Sequence, residues 1–269
     1  MRVKQPKKIG AKGFTLVELS IVIIIVSFII AGIAAGTSLI NQASINSVVT
    51  DMQAYQTSYN NFILRYNAIP GDFAGASSYW NNCADTNTAC DGNGNRIIEY
   101  SVTPIGIGGA GDEVVRTFRH LALANMVGGA GGNQLVDGIS GGNLIIGTDV
   151  PASKISGAGY WYAGPIADIG HGAAFASPWN NGKTNAVFIG VKEADHGLVL
   201  SALTPDDAFS IDKKMDDGVV DANYQSIGAT TGRFRVIEGT DAAVEGCHNL
   251  EIYTTGADII TCVAGFAVN

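Results

Sequence analysis

One uncharged, mostly aliphatic run near the N-terminus constrains this chain more than any other feature. From Leu19 to Gly36 there are 18 residues without a charge, most of them Ile, Val, Ala or Leu, and the uncharged stretch continues beyond Ile40. A helix needs about 20 predominantly apolar residues to cross the hydrocarbon core of a bilayer. The run therefore predicts a transmembrane helix over about residues 14–40.

The charges that flank this run predict its orientation. Five basic residues and no acidic residue precede Gly13; they are Arg2, Lys4, Lys7, Lys8 and Lys12. Basic flanks stay in the cytoplasm, so we expect the chain beyond Ile40 to lie on the opposite, non-cytoplasmic side of the membrane. A cleaved secretory signal is the alternative, with small residues at 31–36 for cleavage, but its apolar core would be shorter.

The rest of the chain is strongly acidic. The whole sequence has 16 basic and 24 acidic residues, a net charge of −8, and only 11 of the basic residues follow Gly13. A surface with this excess of carboxylates repels a phosphate backbone. The composition therefore argues against a broad nucleic-acid-binding surface, and we expect no nucleic-acid partner.

Glu18 is the one charged residue between Gly13 and Thr50, and it lies near the start of the apolar run. A carboxylate at the centre of a transmembrane helix costs roughly 2.5–3.5 kcal/mol, so a partner charge would offset part of that cost. A snorkelling acid near the helix end is the alternative. The surrounding letters GFTLVE, Gly13 to Glu18, resemble the type III signal of type IV prepilins and of the pseudopilins of type II secretion.

This resemblance implies a role for each residue of the signal. Gly13 would end a leader peptide, residues 1–13, which prepilin peptidase removes at the cytoplasmic face. Phe14 would become the N-terminus and be N-methylated. Glu18 would pair with the N-terminal amine of a neighbouring subunit, since a carboxylate and an amine offset each other's desolvation when two subunits pack together.

The resemblance also implies a location and a set of partners. The precursor would span the inner membrane once, with its N-terminus in the cytoplasm and its head in the periplasm. The processed chain would then join an extracellular or periplasmic filament. Its partners would be prepilin peptidase, the inner-membrane assembly machinery and other pilin or pseudopilin subunits.

The helix is predicted to continue beyond the membrane as a stalk. Apolar residues recur there at spacings of three and four, which indicates a helix with one face in a core; they are Ile45, Val48, Val49, Met52, Tyr55, Tyr59, Phe62, Ile63 and Tyr66. Pro70 and Gly71 favour a turn, and the residue before a proline is pushed out of the helical region. We therefore expect one long helix over 14–67.

Residues 68–269, the head, are rich in Gly, Asn, Asp and Ala. Short apolar runs predict strands at 143–147, 160–162, 186–190, 233–237 and 250–253. Helices are predicted after Asp112 and from Thr204–Pro205, an N-cap followed by proline. The predicted class is α+β: a long N-terminal helix, transmembrane in its first half, packed against an antiparallel β-sheet head. This arrangement resembles the pilin fold, and YNAIPGDF with IDKKMDDG resembles, more weakly, a group of large pilin-like proteins.

Four cysteines lie on the exported side: Cys83, Cys90, Cys247 and Cys262. An even number in an oxidising compartment favours disulfides, and four cysteines allow three connectivities. Proximity in sequence favours Cys83 with Cys90 and Cys247 with Cys262, and the second pair resembles the C-terminal disulfide loop of many pilins. Free thiols or metal ligation are the alternatives.

A calcium loop is the one candidate metal site. Asp91, Asn93, Asn95 and Glu99 offer oxygen ligands in a glycine-containing segment, although the spacing of an EF-hand is absent. The alternative is a tight turn beside a disulfide. A second acidic group, Asp212, Asp216, Asp217 and Asp221, is interpreted as a solvated face.

Two glycine-rich motifs do not support an enzyme. The segment 106–111 matches a dinucleotide fingerprint, but Pro104 lies where the preceding strand should run. The two acidic residues that follow the segment would repel a pyrophosphate. The segment 138–142 matches a nucleophile elbow but is followed by a predicted strand. We therefore expect a structural filament subunit and no enzyme. A membrane-tethered, non-polymerising binding module, dependent on calcium, is the alternative.

Overall fold

The computed structural model describes most of the long helix and parts of the head. The described residues are 14–81, 83, 90–99, 113–128, 145–164, 184–192, 200–216, 218–220, 226–227, 231–238, 246–249, 252–256 and 259–268. The chain divides into two compact units, one ending at Ala43 and the other beginning at Ser44. We call the second one, Ser44–Asn269, the C-terminal unit.

A single helix, α1, runs from Leu16 to Tyr66 and confirms the long N-terminal helix. Among the described residues it is the one helix long and apolar enough to cross a membrane: its most apolar stretch has a mean hydropathy of 2.8 and none of it is buried. The helix ends where Asn67 adopts a left-handed conformation, with φ of 51°. Asn67 still donates a backbone hydrogen bond to the carbonyl of Ile63, at 2.8 Å.

Three shorter helices follow among the described residues of the head: α2, Ala76–Tyr79; α3, Glu113–Leu123; and α4, Pro205–Met215. The Thr204 side chain caps α4 by accepting the backbone N–H of Asp207. Pro205 follows in the first turn, where its missing N–H leaves no intrahelical bond unmade. These are the start signals from which α4 was predicted.

Eight strands form two antiparallel sheets of four strands each within the described residues. The strands are β1, Ala158–Ala163; β2, Ala186–Val191; β3, Val219–Val220; β4, Ser226–Ile227; β5, Phe234–Glu238; β6, His248–Asn249; β7, Ile252–Tyr253; and β8, Cys262–Ala267. The first sheet has the order β1-β2-β8-β5 and the second β3-β4-β7-β6. The described structure is therefore α+β with antiparallel sheets, as predicted.

The C-terminal unit has its core between the second half of α1 and the first sheet. The α1 side chains in this core lie three, four or seven residues apart: Ile45, Val48, Met52, Tyr59 and Phe62. Two buried tyrosines of β1 also bond to the helix: the Tyr160 hydroxyl donates to the Asp51 carboxylate at 3.0 Å, and the Tyr162 hydroxyl donates to the Tyr55 carbonyl at 2.8 Å. The C-terminal unit therefore needs the α1 residues from Ser44 onwards.

The strands differ from the prediction at 143–147 and at four strands that were not predicted, which are β3, β4, β6 and β8. Residues 143–144 lie outside the described part, and Ile146 forms an isolated bridge with Val150 instead of a strand. Gly147 reverses the chain there with φ of 91°, a conformation glycine adopts without strain. Strand β8, in contrast, was not predicted, although it lies between β2 and β5.

Both disulfides join the cysteines that proximity in sequence favoured. The Cα atoms of Cys83 and Cys90 are 5.2 Å apart, and those of Cys247 and Cys262 are 5.1 Å apart. The second bond ties the start of β8 to the segment before β6. Among the described residues no cysteine is free.

Removal of the longer disulfide is expected to destabilise the C-terminal unit more than removal of the shorter one. Cys262→Ser opens a loop with a sequence separation of 15, and Cys90→Ser one of 7. Loop-closure entropy predicts that the free energy of unfolding falls by about 3 kcal/mol in Cys262→Ser and by about 2 kcal/mol in Cys90→Ser. The measurement is thermal melting of residues 44–269, with reduced wild type as the control. Equal melting of oxidised wild type and Cys262→Ser would contradict this assignment.

Candidate functional site

The first candidate site is the N-terminal turn of α1, where the residues of the predicted processing signal lie. Gly13 is outside the described residues, and Phe14 is 88% exposed immediately before the helix. The Glu18 carboxylate accepts two hydrogen bonds from Thr15, one from the backbone N–H and one from the hydroxyl, each at 2.8 Å. The Glu18 N–H in turn donates to the Thr15 hydroxyl oxygen at 3.2 Å. Thr15 and Glu18 therefore form a capping box.

The surface of α1 that follows this turn is apolar. The exposed large side chains there are Leu16, Val17, Leu19, Ile21, Val22, Ile23, Ile24, Ile25, Val26, Phe28, Ile29, Ile30, Ile33, Leu39 and Ile40. Monomeric soluble proteins rarely expose a contiguous apolar surface of this extent. The arrangement can insert into lipid or pack against other apolar helices, and Glu18 is its one charged group.

The second candidate site is the 90–99 loop, which contains the four predicted calcium ligands. Both Asp91 carboxylate oxygens bond to Ser77, one to its N–H at 2.7 Å and one to its hydroxyl at 2.8 Å. The Asn93 and Asn95 side-chain amides donate to the Glu99 carboxylate at 2.6 and 2.9 Å. Their oxygens accept backbone N–H groups two residues ahead. Asn93, Asn95 and Glu99 therefore bond to one another, as in an Asx-rich turn, whereas Asp91 bonds outside the loop.

Two buried carboxylates outside the 90–99 loop hold its backbone, and the sequence did not single them out. Asp72, 2% exposed, accepts the N–H groups of Gly94, Asn95 and Arg96, at 2.5, 3.2 and 2.5 Å. Glu113, 0% exposed, accepts the N–H groups of Asn93 and Glu99, both at 3.0 Å. Five backbone N–H groups of the loop therefore end on two carboxylates.

The pKa of Glu113 is raised to about 7, mainly by burial and also by the nearby charges of Asp72 and Glu99. The two backbone N–H groups that Glu113 accepts act in the opposite direction, because they favour the ionised carboxylate. A glycine is required at position 92, since a Cβ there would overlap the backbone of Asp72. The loop backbone therefore lies directly against the Asp72 turn.

His120 joins the end of α1 to the start of the 90–99 loop. Its ring is 0% exposed, and its Nδ1 accepts the backbone N–H of Gly71 at 2.9 Å. Nε2 lies 3.0 Å from the Cys90 carbonyl oxygen, so the neutral tautomer with a proton on Nε2 satisfies both contacts. The ring stacks on Phe62 and on Trp80, with centroids 6.1 and 5.8 Å away.

His120 also lies beside the first disulfide. One ligand atom from each of Cys83, Cys90 and His120 lies within 4.8 Å of the others, and all three residues are buried. Metal ligation was an alternative for these cysteines. The residues do not fit that role in this state, since both sulfurs are in the disulfide and both ring nitrogens face backbone partners.

The calcium site stays a prediction, and it gives a specific expectation for melting. Calcium that binds only the folded protein would stabilise residues 44–269 by about 2.7 kcal/mol at a hundredfold excess over its dissociation constant. Magnesium at matched ionic strength is the control, because a loose oxygen cage prefers the larger ion. A calcium-specific rise in melting temperature that Asp91→Ala abolishes would support the site. Equal shifts in both proteins would leave Asp91 as the partner of Ser77 alone.

The second acidic group is not a solvated face throughout. Asp212 is buried and accepts the Tyr253 hydroxyl at 2.9 Å. Asp216 is exposed and accepts the backbone N–H groups of Arg233 and Phe234. Asp217, Asp221 and the glycine-rich motifs at 106–111 and 138–142 lie outside the described residues.

No protein-family model, curated protein or solved structure matches this chain. The functional argument therefore depends on the chemistry of its own residues. Of the predicted site residues, the structure brings Glu18 to Thr15 and joins Asn93 and Asn95 to Glu99, while it brings Asp91 to Ser77.

Proposed function

We propose that this chain is a prepilin-type structural subunit, which is processed after Gly13 and assembles through α1 into a type IV pilus or a type II secretion-like pseudopilus. The observation that carries the proposal is the combination of GFTLVE with a single carboxylate at the start of an exposed apolar helix. In a tethered monomer the Glu18 carboxylate can serve only as the cap of its own helix, and no second charge in the apolar run would offset its desolvation. A subunit that pairs this carboxylate with a neighbour's amine gains that second charge.

The composition of the chain fits removal of the leader. Five of its 16 basic residues precede Gly13, so cleavage would remove all the charges that hold the N-terminus in the cytoplasm. The processed chain would begin with Phe14, and its free amine would lie four residues before Glu18 in the sequence. An amine at the end of one helix and Glu18 near the end of another are complementary charges in an apolar environment.

The head supports export. Its two disulfides persist in oxidising compartments, and in a reducing cytoplasm such bonds are rare. Orientation by the basic leader places the head on that same side of the membrane. The proposal therefore includes insertion into the inner membrane, cleavage by prepilin peptidase and contact with the assembly machinery of that membrane.

The proposal is tested by the processing site. Gly13→Leu is expected to abolish cleavage, because a bulky side chain before the scissile bond blocks the peptidase implied by the resemblance. Gly10→Leu is the matched control, since it makes the same change within the same leader. Mass spectrometry of the membrane fraction measures both. A wild-type chain that begins anywhere other than Phe14, or cleavage of Gly13→Leu at the wild-type rate, would refute the prepilin assignment.

Immunogold labelling of the head on intact cells tests the filament. Labelled extracellular fibres indicate a pilus subunit, and label that appears only after the outer membrane is opened indicates a secretion pseudopilus. Processed chains that never leave the membrane as polymers would instead indicate a tethered binding module.

A further inference from the structure

The Thr15–Glu18 capping box satisfies the Glu18 carboxylate within a single subunit. One carboxylate oxygen accepts both the Thr15 N–H and the Thr15 hydroxyl, each at 2.8 Å. The first backbone bond of the helix, from the Leu19 N–H to the Thr15 carbonyl at 3.2 Å, fixes Thr15 at the N-cap position. Glu18 is then the third residue of the helix, the position at which a carboxylate reaches back to the cap.

These bonds matter because the helix that carries them is apolar. A carboxylate that enters hydrocarbon without partners is costly, and charge-assisted hydrogen bonds offset part of that cost. The positive end of the helix dipole lies at this same turn and also favours a negative charge. An unassembled subunit can therefore offset part of the desolvation cost of Glu18 without a second chain.

We propose that Thr15 is the positioning residue for Glu18: it holds the carboxylate in the unassembled subunit and releases it when the amine of a neighbouring subunit takes its place. The inference rests on the proposed filament function. Assembly is then an exchange of partners for one carboxylate, instead of the rescue of an unsatisfied charge. Because the cap stabilises only the unassembled subunit, it opposes assembly. It therefore increases the fraction of processed subunits that stay unassembled in the membrane.

The cap itself is tested without any filament. The full-length chain is placed in nanodiscs of zwitterionic and anionic phospholipid, and backbone amide exchange is measured by NMR, with the Leu19 amide as the internal reference. Glu18→Ala is expected to speed exchange of the Thr15 amide about tenfold, and Thr15→Val to speed exchange of the Glu18 amide by a similar factor. Thr15→Ser keeps the hydroxyl and is expected to leave the Glu18 amide unchanged. Unchanged exchange in both Glu18→Ala and Thr15→Val would overturn the cap.

The exchange of partners is tested by a double-mutant cycle in cells. The ratio of polymerised to membrane-resident processed chain is measured for wild type, Thr15→Val, Thr15→Ser, Glu18→Ala and the double variant Thr15→Val/Glu18→Ala. Thr15→Val is expected to raise this ratio by up to about tenfold, because it removes the cap and keeps Glu18. Thr15→Ser is expected to have the wild-type ratio, and Thr15→Val is expected to have no effect once Glu18 is absent. A fall in the ratio, or the same shift with and without Glu18, would mean that Thr15 only shapes the helix start and would overturn the proposal.

The two hypotheses fail in different ways. If the wild-type chain is not cut before Phe14, or forms no polymer, the filament function fails while the nanodisc exchange still reports on the cap. If polymers form and the cycle shows no coupling, the filament function stands and the exchange of partners is wrong.

Discussion

Asp72→Ala is expected to destabilise the C-terminal unit by about 4 kcal/mol. The Asp72 carboxylate accepts three backbone N–H groups of the 90–99 loop and is itself 2% exposed. Hydrogen bonds to a charged group contribute roughly 1.5–3 kcal/mol each, and water replaces part of that when the carboxylate is removed. The measurement is urea unfolding of residues 44–269. The slope of the unfolding free energy against urea concentration should be the same in wild type and variant if both unfold in two states.

Two matched variants separate this role from a general effect of charge. Asp91→Ala removes a carboxylate from the same loop, but its two bonds go to the exposed Ser77, so we expect a loss of about 1 kcal/mol. Asp72→Asn keeps one acceptor oxygen and should fall between the two. If Asp72→Ala and Asp91→Ala lose the same stability, the three N–H bonds to Asp72 do not hold the loop.

The parts of the fold that could be predicted from the sequence have local causes. The stripe of α1 repeats every three or four residues, and the start of α4 follows from Thr204 and Pro205 alone. The short disulfide needs only two cysteines separated by 7 residues. In each case the residues that decide the structure lie within about two turns of one another.

Strand β8 could not be predicted in this way because it lacks both an alternating pattern and the clustered aromatic and β-branched residues that indicate the equally buried β1 and β2. All six of its residues, Cys262–Ala267, are buried, with β2 on one side and β5 on the other. A short run buried on both faces has no period of two and resembles a buried helix segment. The small residues Ala264 and Gly265 weaken the signal further, since strands are usually recognised by β-branched and aromatic residues.

The loop-holding carboxylates were missed for a different reason. Asp72 and the Gly94 N–H are 22 residues apart, and Glu113 and the Asn93 N–H are 20 apart. Nothing near Asp72 in sequence distinguishes it from an acid in a solvated turn after Pro70 and Gly71. The four oxygen-bearing residues of the 90–99 loop drew attention because they lie together in sequence, whereas the groups that fix the loop come from outside it.

The Thr15–Glu18 pair, in contrast, has a local cause that the sequence itself contains. The spacing Thr-x-x-Glu before an apolar run is the capping-box pattern. The resemblance to a prepilin signal implies a neighbouring subunit as the partner of Glu18, and it implies no bond between Glu18 and Thr15. In the proposed filament, the Glu18 carboxylate would serve Thr15 and the amine of a neighbouring subunit in turn.

His120→Ala is expected to destabilise the C-terminal unit by about 5 kcal/mol. It removes a buried ring that stacks on Phe62 and Trp80, which leaves a cavity, and large-to-small changes of this kind cost about 3–5 kcal/mol. It also leaves the Gly71 N–H and the Cys90 carbonyl without the ring. His120→Phe keeps the aromatic packing but not these two contacts, so we expect an intermediate loss of about 3 kcal/mol at neutral pH.

The same residue gives stability a dependence on pH. The pKa of His120 is lowered to about 4, mainly by burial and also by the charges of Arg116 and Arg119, while the Cys90 carbonyl and Asp91 act in the opposite direction. In the unfolded chain the pKa of histidine is about 6.5, so between pH 6.5 and 4 the unfolded state binds the proton that the folded state refuses. The contribution of neutral His120 is therefore complete above pH 6.5 and is lost as the pH falls towards 4.

Comparison of wild type with His120→Phe isolates this effect. Each unit of pKa shift corresponds to about 1.4 kcal/mol, so wild type should lose up to about 3 kcal/mol from this group between pH 6.5 and 4, and His120→Phe should lose none of it. Glu113, whose raised pKa of about 7 favours the folded state at lower pH, is present in both proteins and cancels in the difference. Urea unfolding of residues 44–269 at half-unit steps of pH measures the two curves. They should be furthest apart at pH 7 and converge towards pH 4, and a constant gap between them would mean that His120 does not titrate in this range.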